Sequence, residues 1–146
     1  MIDPDVRPAG PDDADQLRWL EAEARAALTE QRGGPRWLET HPPRNNSWAD
    51  SIDVGAVYVA HIGAVVVGYL VLAIESPLAT VEDVYVSPQA RELGFGDALL
   101  AVATDEARHR GCSLLEGASL PGDRETKNLY ERAGIKARLI TVSTEI

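Results

Sequence analysis

The chain has 146 residues, 45% of them apolar and 25% charged, with a formal net charge of −9. That length suits one domain with its own core, and the excess of acid argues against a nucleic-acid surface, which needs clustered Lys and Arg. No apolar run reaches the roughly 18 residues of a membrane-spanning helix, the start "MIDPDVRPAGPDD" lacks a secretory signal's basic and apolar regions, and the single Cys112 forbids an internal disulfide, so a reduced, cytoplasmic setting is expected.

In chain order, "DVRPAG" is short enough for an edge strand. Leu17, Leu20, Ala24, Ala27 and Leu28 then recur at three- and four-residue spacing, which predicts a helix, with Pro11, Asp12 and Asp13 at its start and Gly33 and Gly34 at its end. Residues 33–54 are irregular and hold Trp37 and Trp48. They read as a loop with a short helix, whose tryptophans either wall a pocket or lid the core. "AVYVAHI" and "AVVVGYLVLAI" flank Gly63 as a hairpin, and "TVEDVYV" is a third strand stopped by Pro88. Residues 95–110 predict a helix with Leu99, Leu100, Ala103 and Ala107 inward and Gly111 behind it. "CSLLEGA" reads as a short buried strand carrying Cys112 into the core, Asp123 as the cap of a helix over 124–133 ended by Gly134, and "KARLITVSTEI" as a last strand.

The order β-α-(loop or helix)-β-β-β-α-β-α-β implies an antiparallel meander followed by parallel strands. The expected fold class is α/β with a mixed sheet and helices on both faces.

The segment "RELGFG" stands between the third strand and the next helix. A helix N-terminus carries unpaired N–H groups and partial positive charge. Gly94 and Gly96 would let a ligand approach the backbone, and Arg91 would add charge-assisted hydrogen bonds to phosphate oxygens. The segment is not a P-loop, and a dinucleotide fingerprint would need glycine where Leu99 stands. No Gly-x-Ser-x-Gly elbow exists either. His41, His61 and His109 lack metal spacing, so no metal is expected.

The run "VEDVYVSPQARELGFGDALL" resembles the acetyl-CoA-binding core of the GNAT family of N-acetyltransferases, whose pattern Gln/Arg-x-x-Gly-x-Gly/Ala appears as Arg91, Gly94 and Gly96 behind Val86 and Pro88. "DRETKNLYERAGI" is similar to the family's later segment at Tyr130, Glu131 and Gly134. Together the two cover about residues 57–135 as one GNAT-like domain spanning 1–146. The resemblance implies a pantetheine arm paired with backbone groups of Val84 and Val86, beside Tyr85, where the strand at 82–86 splays from the one at 112–118. It implies a pyrophosphate on the amides of Arg91, Glu92, Leu93, Gly94, Phe95, Gly96 and Asp97, with Asn128 a further candidate contact. It departs from the family pattern at Glu92, Leu93 and Asp97, where basic or polar residues are usual, and at Asp123 and Thr126, where Asn and Ala are usual. One strand after Gly134, where two are usual, would leave an edge for a second subunit to cover in a homodimer.

Acetyl transfer to an amine needs a proton acceptor, a donor to the developing oxyanion, and a proton for the leaving thiolate. Tyr130 is the candidate acid by resemblance. Glu82 is the candidate base, directly or through water, with Asp83 as competitor. Strand alternation puts Glu82, Val84 and Val86 on one face and Asp83 and Tyr85 on the other unless a bulge swaps them. The resemblance implies a backbone N–H near Val86 as the oxyanion donor. The expected function is transfer of an acetyl group from acetyl-CoA to a primary amine on a small molecule or peptide, with no nucleic-acid or membrane partner. The alternative is a non-catalytic acyl-CoA-binding module on the same fold. The acidity of the chain favours a cationic acceptor.

Overall fold

A computed structural model describes residues 4–146. Five strands form one sheet in the order β1-β2-β3-β4-β5: β1 Asp5–Pro8, β2 Val57–Ile62, β3 Val65–Glu75, β4 Leu78–Val86 and β5 Leu114–Gly117. The first four run antiparallel, and β5 lies parallel to β4. The five helices are α1 Ala14–Leu28, α2 Gly34–Thr40, α3 Ser47–Asp53, α4 Phe95–His109 and α5 Arg124–Arg132.

The helices cover both faces, and each face has its own core. On one, Leu17 and Leu20 of α1 and Trp48 and Ile52 of α3 pack on Val57, Val59, Tyr69 and Val71. On the other, Phe95, Leu99, Leu100, Ala103 and Ala107 of α4 and Leu129 and Tyr130 of α5 pack on Tyr58, Ala60, Leu70, Leu72 and Val81. A strand buried on both faces loses the apolar–polar alternation, which is why β3 reads as a nearly continuous apolar run.

Four expectations change. The segment 33–54 carries two helices rather than one. Along α1 the buried residues are Leu17, Leu20 and Glu21, whereas Ala27 is exposed, because the far end of the helix has no sheet beneath it. The strand predicted over "CSLLEGA" shortens to four residues and is mostly exposed, with Leu114 54% exposed and Cys112 half-buried ahead of it. It sits at the sheet edge, beyond the cover of α4. Residues 136–146 form no strand: all eleven are exposed and without regular structure, and among the described residues none pairs with the outer side of β5.

Candidate active site

Two irregularities open the sheet next to β4. The β4–β5 pairing ends at Val81 opposite Gly117, although β4 continues to Val86. The β3–β4 register also slips, so that Asp83 pairs with Val71 and Val81 with Leu72. Glu82 is therefore the extra residue of a β-bulge. Simple alternation fails at that point. Val81, Val84 and Val86 face α4 and α5, and Tyr85 faces α1 and α3. Glu82 belongs to neither face and is exposed.

Backbone bonding shows which β4 groups are free. Ser87 donates its N–H to Val67 O at 2.8 Å, and Leu72 donates to Ala56 O at 2.8 Å. Bonding alternates along an antiparallel pair. Given the register, Tyr85 and Asp83 exchange bonds with β3, while the N–H and C=O of Val84 and Val86 point away from it, into the gap left by β5. Arg91 Nε donates to the Val86 carbonyl at 3.1 Å, and its guanidinium lies 5.8 Å from the Tyr85 ring centre.

At the end of that gap, residues 88–90 make one 3-10 turn and α4 begins at Phe95. Gly94 has φ +86°, the left-handed region that glycine enters without strain. Among the described residues no side chain caps the helix, which leaves its first-turn amides without a side-chain acceptor there. Phe95 is buried in the core below, and only its backbone belongs to the loop. Gly96 serves packing more than ligand access, because a Cβ there would lie 3.3 Å from Leu129 Cδ1. Of the two acids, Asp97 is paired with Arg132 Nε at 3.1 Å, while Glu92 is exposed with φ +65°. Asn128 is exposed on α5.

Tyr130 enters the same gap from α5. Asp123 caps this helix by accepting from Thr126 N at 3.2 Å and from Thr126 Oγ1 at 2.7 Å, and Leu129 anchors it against Gly96. The Tyr130 side chain is buried, and its hydroxyl has no hydrogen-bond partner among the described residues. Buried polar groups are nearly always paired, so this oxygen calls for a partner that the described residues do not supply. Burial, reinforced by the negative charges of Asp83 and Asp123, pushes the phenol up to about 12.

A polar cluster lies across β4. Glu21, 3% exposed, accepts from Arg44 N at 2.9 Å and from Arg44 Nη1 at 2.8 Å. The same guanidinium reaches Asp83 at 3.2 Å and Glu82 at 3.9 Å, and lies 5.2 Å from the Trp48 ring centre. Tyr69 donates to Asp83 at 2.9 Å. Burial holds the Asp83 carboxyl above the ordinary carboxylate range, against the opposing pull of Arg44 and Tyr69. Beside it, Tyr85 and Ser87 both donate to Glu23 Oε2, at 2.7 and 2.8 Å. Glu21, Glu23 and Arg44 were invisible as site residues in the sequence. A buried acid on the apolar stripe of a helix was the available signal for Glu21.

The two tryptophans divide the roles left open for them. Trp48 is fully buried, edge-on to Tyr69. Trp37 stacks on His41 at 4.3 Å and lines a recess of about 210 Å³ with Arg25, Thr40 and Arg44. A second groove, about 590 Å³, runs between α1 and the β2–β3 hairpin, lined by Trp19, Leu20, Ile62 and Val65. It contains neither Tyr130 nor Glu82. Among the described residues no group of three or more His, Cys, Asp or Glu is spaced to hold a metal ion, and no helix is long and apolar enough to cross a membrane.

The sequence profile of the Acetyltransferase (GNAT) family matches residues 15–135. No curated protein matches the chain by sequence. Among solved structures, the tetramutant of BH1408 from Bacillus halodurans has a TM-score of 0.78 at 16% identity, with all of both chains covered. A ribosomal-protein-alanine N-acetyltransferase from Brucella melitensis biovar Abortus 2308 has a TM-score of 0.71 at 22% identity, over 99% of each chain. A PaiA N-acetyltransferase from Thermoplasma acidophilum, in complex with coenzyme A, has a TM-score of 0.68 at 16% identity, over 90% of this chain and 89% of that one.

Proposed function

The chain belongs to the GNAT acetyltransferase family, and from that premise we propose that it transfers an acetyl group from acetyl-CoA to a primary amine, by direct attack, in the gap between β4 and β5. One observation carries this reading: the buried, partnerless Tyr130 hydroxyl stands beside a stretch of β4 whose backbone groups are free. Acetyl-CoA supplies the activated acyl group and the thiolate leaving group.

The N–H and C=O of Val84 and Val86 would hold the pantetheine arm as a strand is held. The amides of Arg91–Asp97 would take the pyrophosphate, with help from the helix dipole. Arg91 adds a positive charge beside them. A backbone N–H near Val86 is the proposed donor to the developing oxyanion.

Tyr130 is the proposed general acid. A phenol pushed up to about 12 keeps its proton at neutral pH and can deliver it from Oη to the departing sulfur. Glu82 is the proposed base. Both donors nearest Asp83, Arg44 and Tyr69, fix that carboxylate in place. Among the described residues Glu82 has only the 3.9 Å approach of Arg44, which leaves its lone pairs available to receive a proton through water. Asp83 then serves as scaffold. Asn128 remains a candidate for the outer part of the cofactor.

The acceptor would approach from the recess of Trp37 and Arg44, on a small molecule or a peptide. A cytoplasmic setting belongs to the same reading, in keeping with a single, unpaired cysteine, as does a homodimer. The test is release of CoA with a panel of amines, comparing wild type with Tyr130→Phe. Acetyl-CoA binding without turnover on any amine would overturn the catalytic reading.

A further inference from the structure

The recess beside Glu82 runs against the charge of the chain. The sequence holds 23 acids against 14 Lys and Arg, yet none of the residues lining the recess, Arg25, Trp37, Thr40, His41, Pro42 and Arg44, is acidic. Its two arginines are spent differently. Arg25 donates to the carbonyls of Leu38 and His41, so its charge meets no carboxylate among the described residues. Arg44 commits its backbone N–H and Nη1 to Glu21 and Asp83. Its Nη2 approaches only Glu82 among those residues, at 3.9 Å, which is too long for a hydrogen bond.

A guanidinium presents five N–H donors in a fixed fork. Here the Nη2 half is left over, on a residue that lines the recess and stands next to the proposed base. Arg–carboxylate contacts are among the stronger hydrogen bonds a site can offer. The net charge of the chain favours a cation, but the recess itself favours a zwitterion.

We infer that the acceptor is a free amino acid: its carboxylate is held by Arg44 Nη2 under the charge of Arg25, and its amine faces Glu82. This rests on the proposed acetyl transfer and narrows it. The anion and amine sites stand close together, so the two groups must be near neighbours on one molecule, as they are on an α-carbon. Trp37, its ring centre 4.3 Å from that of His41 and nearly parallel to it, walls the space left for the side chain. The amine nitrogen bonds to the acetyl carbon and the carbon–sulfur bond breaks. One ammonium proton leaves through Glu82 to water, and the second ends on the CoA sulfur by way of Tyr130; the carboxylate only binds. A peptide N-terminus offers a neutral amide where the carboxylate belongs, leaving Nη2 unmet, and a polyamine brings a second positive charge against both arginines.

The experiment is release of CoA by the full chain with a panel of α-amino acids, each beside its own amide, with short peptides and polyamines in the same panel. For the best amino acid, kcat/KM should exceed that of its amide by roughly 10- to 100-fold, the size of a charge-assisted contact. Arg44→Lys keeps a charge for Glu21 and Asp83 but loses the fork, and Arg25→Gln removes the second charge. Each should raise KM for the amino acid more than for the amide, shrinking that ratio by about tenfold; a merely structural loss would lower both substrates alike. Acetyl-CoA binding by calorimetry checks that the variants are folded. An amide, peptide or polyamine used as well as every amino acid, or a ratio unmoved in both variants, would overturn the inference and leave acetyl transfer standing. A protein that binds acetyl-CoA and acetylates nothing in the panel would remove acetyl transfer, and the inference with it.

Discussion

Gly117 and Tyr130 occupy one space. A Cβ built on Gly117 would lie 2.6 Å from Tyr130 Cζ, closer than any real contact. The last paired residue of β5 is bare so that the phenol can reach the gap between the strands. Gly117→Ala would displace the ring from a strand end that is itself exposed. Because a misplacement of about 1 Å costs roughly 100-fold in rate, kcat should fall ~10- to 100-fold. The dissociation constant for CoA and the melting temperature should change little. Steady-state kinetics with calorimetry separate these effects.

Removing the Tyr130 hydroxyl tests the acid more directly. Tyr130→Phe should lower kcat by about 100-fold or more, the usual size of a general-acid contribution. Stability should hold or rise, because the lost hydroxyl is buried without a partner. In wild type, no loss of activity attributable to this phenol should appear until the pH approaches about 12. A pH–rate profile of both proteins checks the point.

Glu92 is a departure from the family pattern with two costs. It sits at φ +65° and brings negative charge to the loop proposed for a pyrophosphate. Glu92→Gly should relieve backbone strain of about 1 kcal/mol and tighten CoA binding severalfold at low salt. Screening should shrink the gain as ionic strength rises. Asp97, by contrast, is neutralised by Arg132, so its removal should affect CoA affinity less. Calorimetry at two salt concentrations distinguishes the two acids.

The first strand is held to the first helix by Asp13, 5% exposed, which accepts from Arg7 at 2.7 and 2.9 Å and from Gly10 N at 2.7 Å. The hydrogen bond from Arg7 is the main cause that lowers the Asp13 carboxyl below its ordinary value of 3.8. A depressed acid adds stability above its unfolded value and loses it as pH falls through the folded one. Asp13→Asn should therefore cost about 1–2 kcal/mol at neutral pH, and the gap to wild type should close below about pH 4. Urea titrations at several pH values measure it.

Much of this architecture was legible because its causes are local. The helix over 95–110 rests on period-four apolar spacing and the glycine behind it, and the cap at Asp123 rests on one side chain and its neighbour. The glycine turn and the Tyr130 segment each carry a short local pattern, and the structure packs Gly96 of the one on Leu129 of the other. What escaped depends on contacts distant in sequence. The bulge at Glu82 exists only relative to β3, so alternation could not place that carboxylate. Glu21 found its meaning in Arg44, which comes from a segment with no clear periodicity. The segment 136–146 has β-branched residues and period-two spacing, yet a strand requires a neighbour, and none of the described residues pairs with it.

The central claim is that the exposed flank of β4 and the start of α4 hold acetyl-CoA. Amide hydrogen exchange, followed residue by residue with and without the thioester, tests it most directly. Protection should rise at Val84, Val86 and Gly94–Asp97, and stay unchanged along the Trp19–Val65 groove. Absence of binding, or protection confined to that groove, would contradict the account.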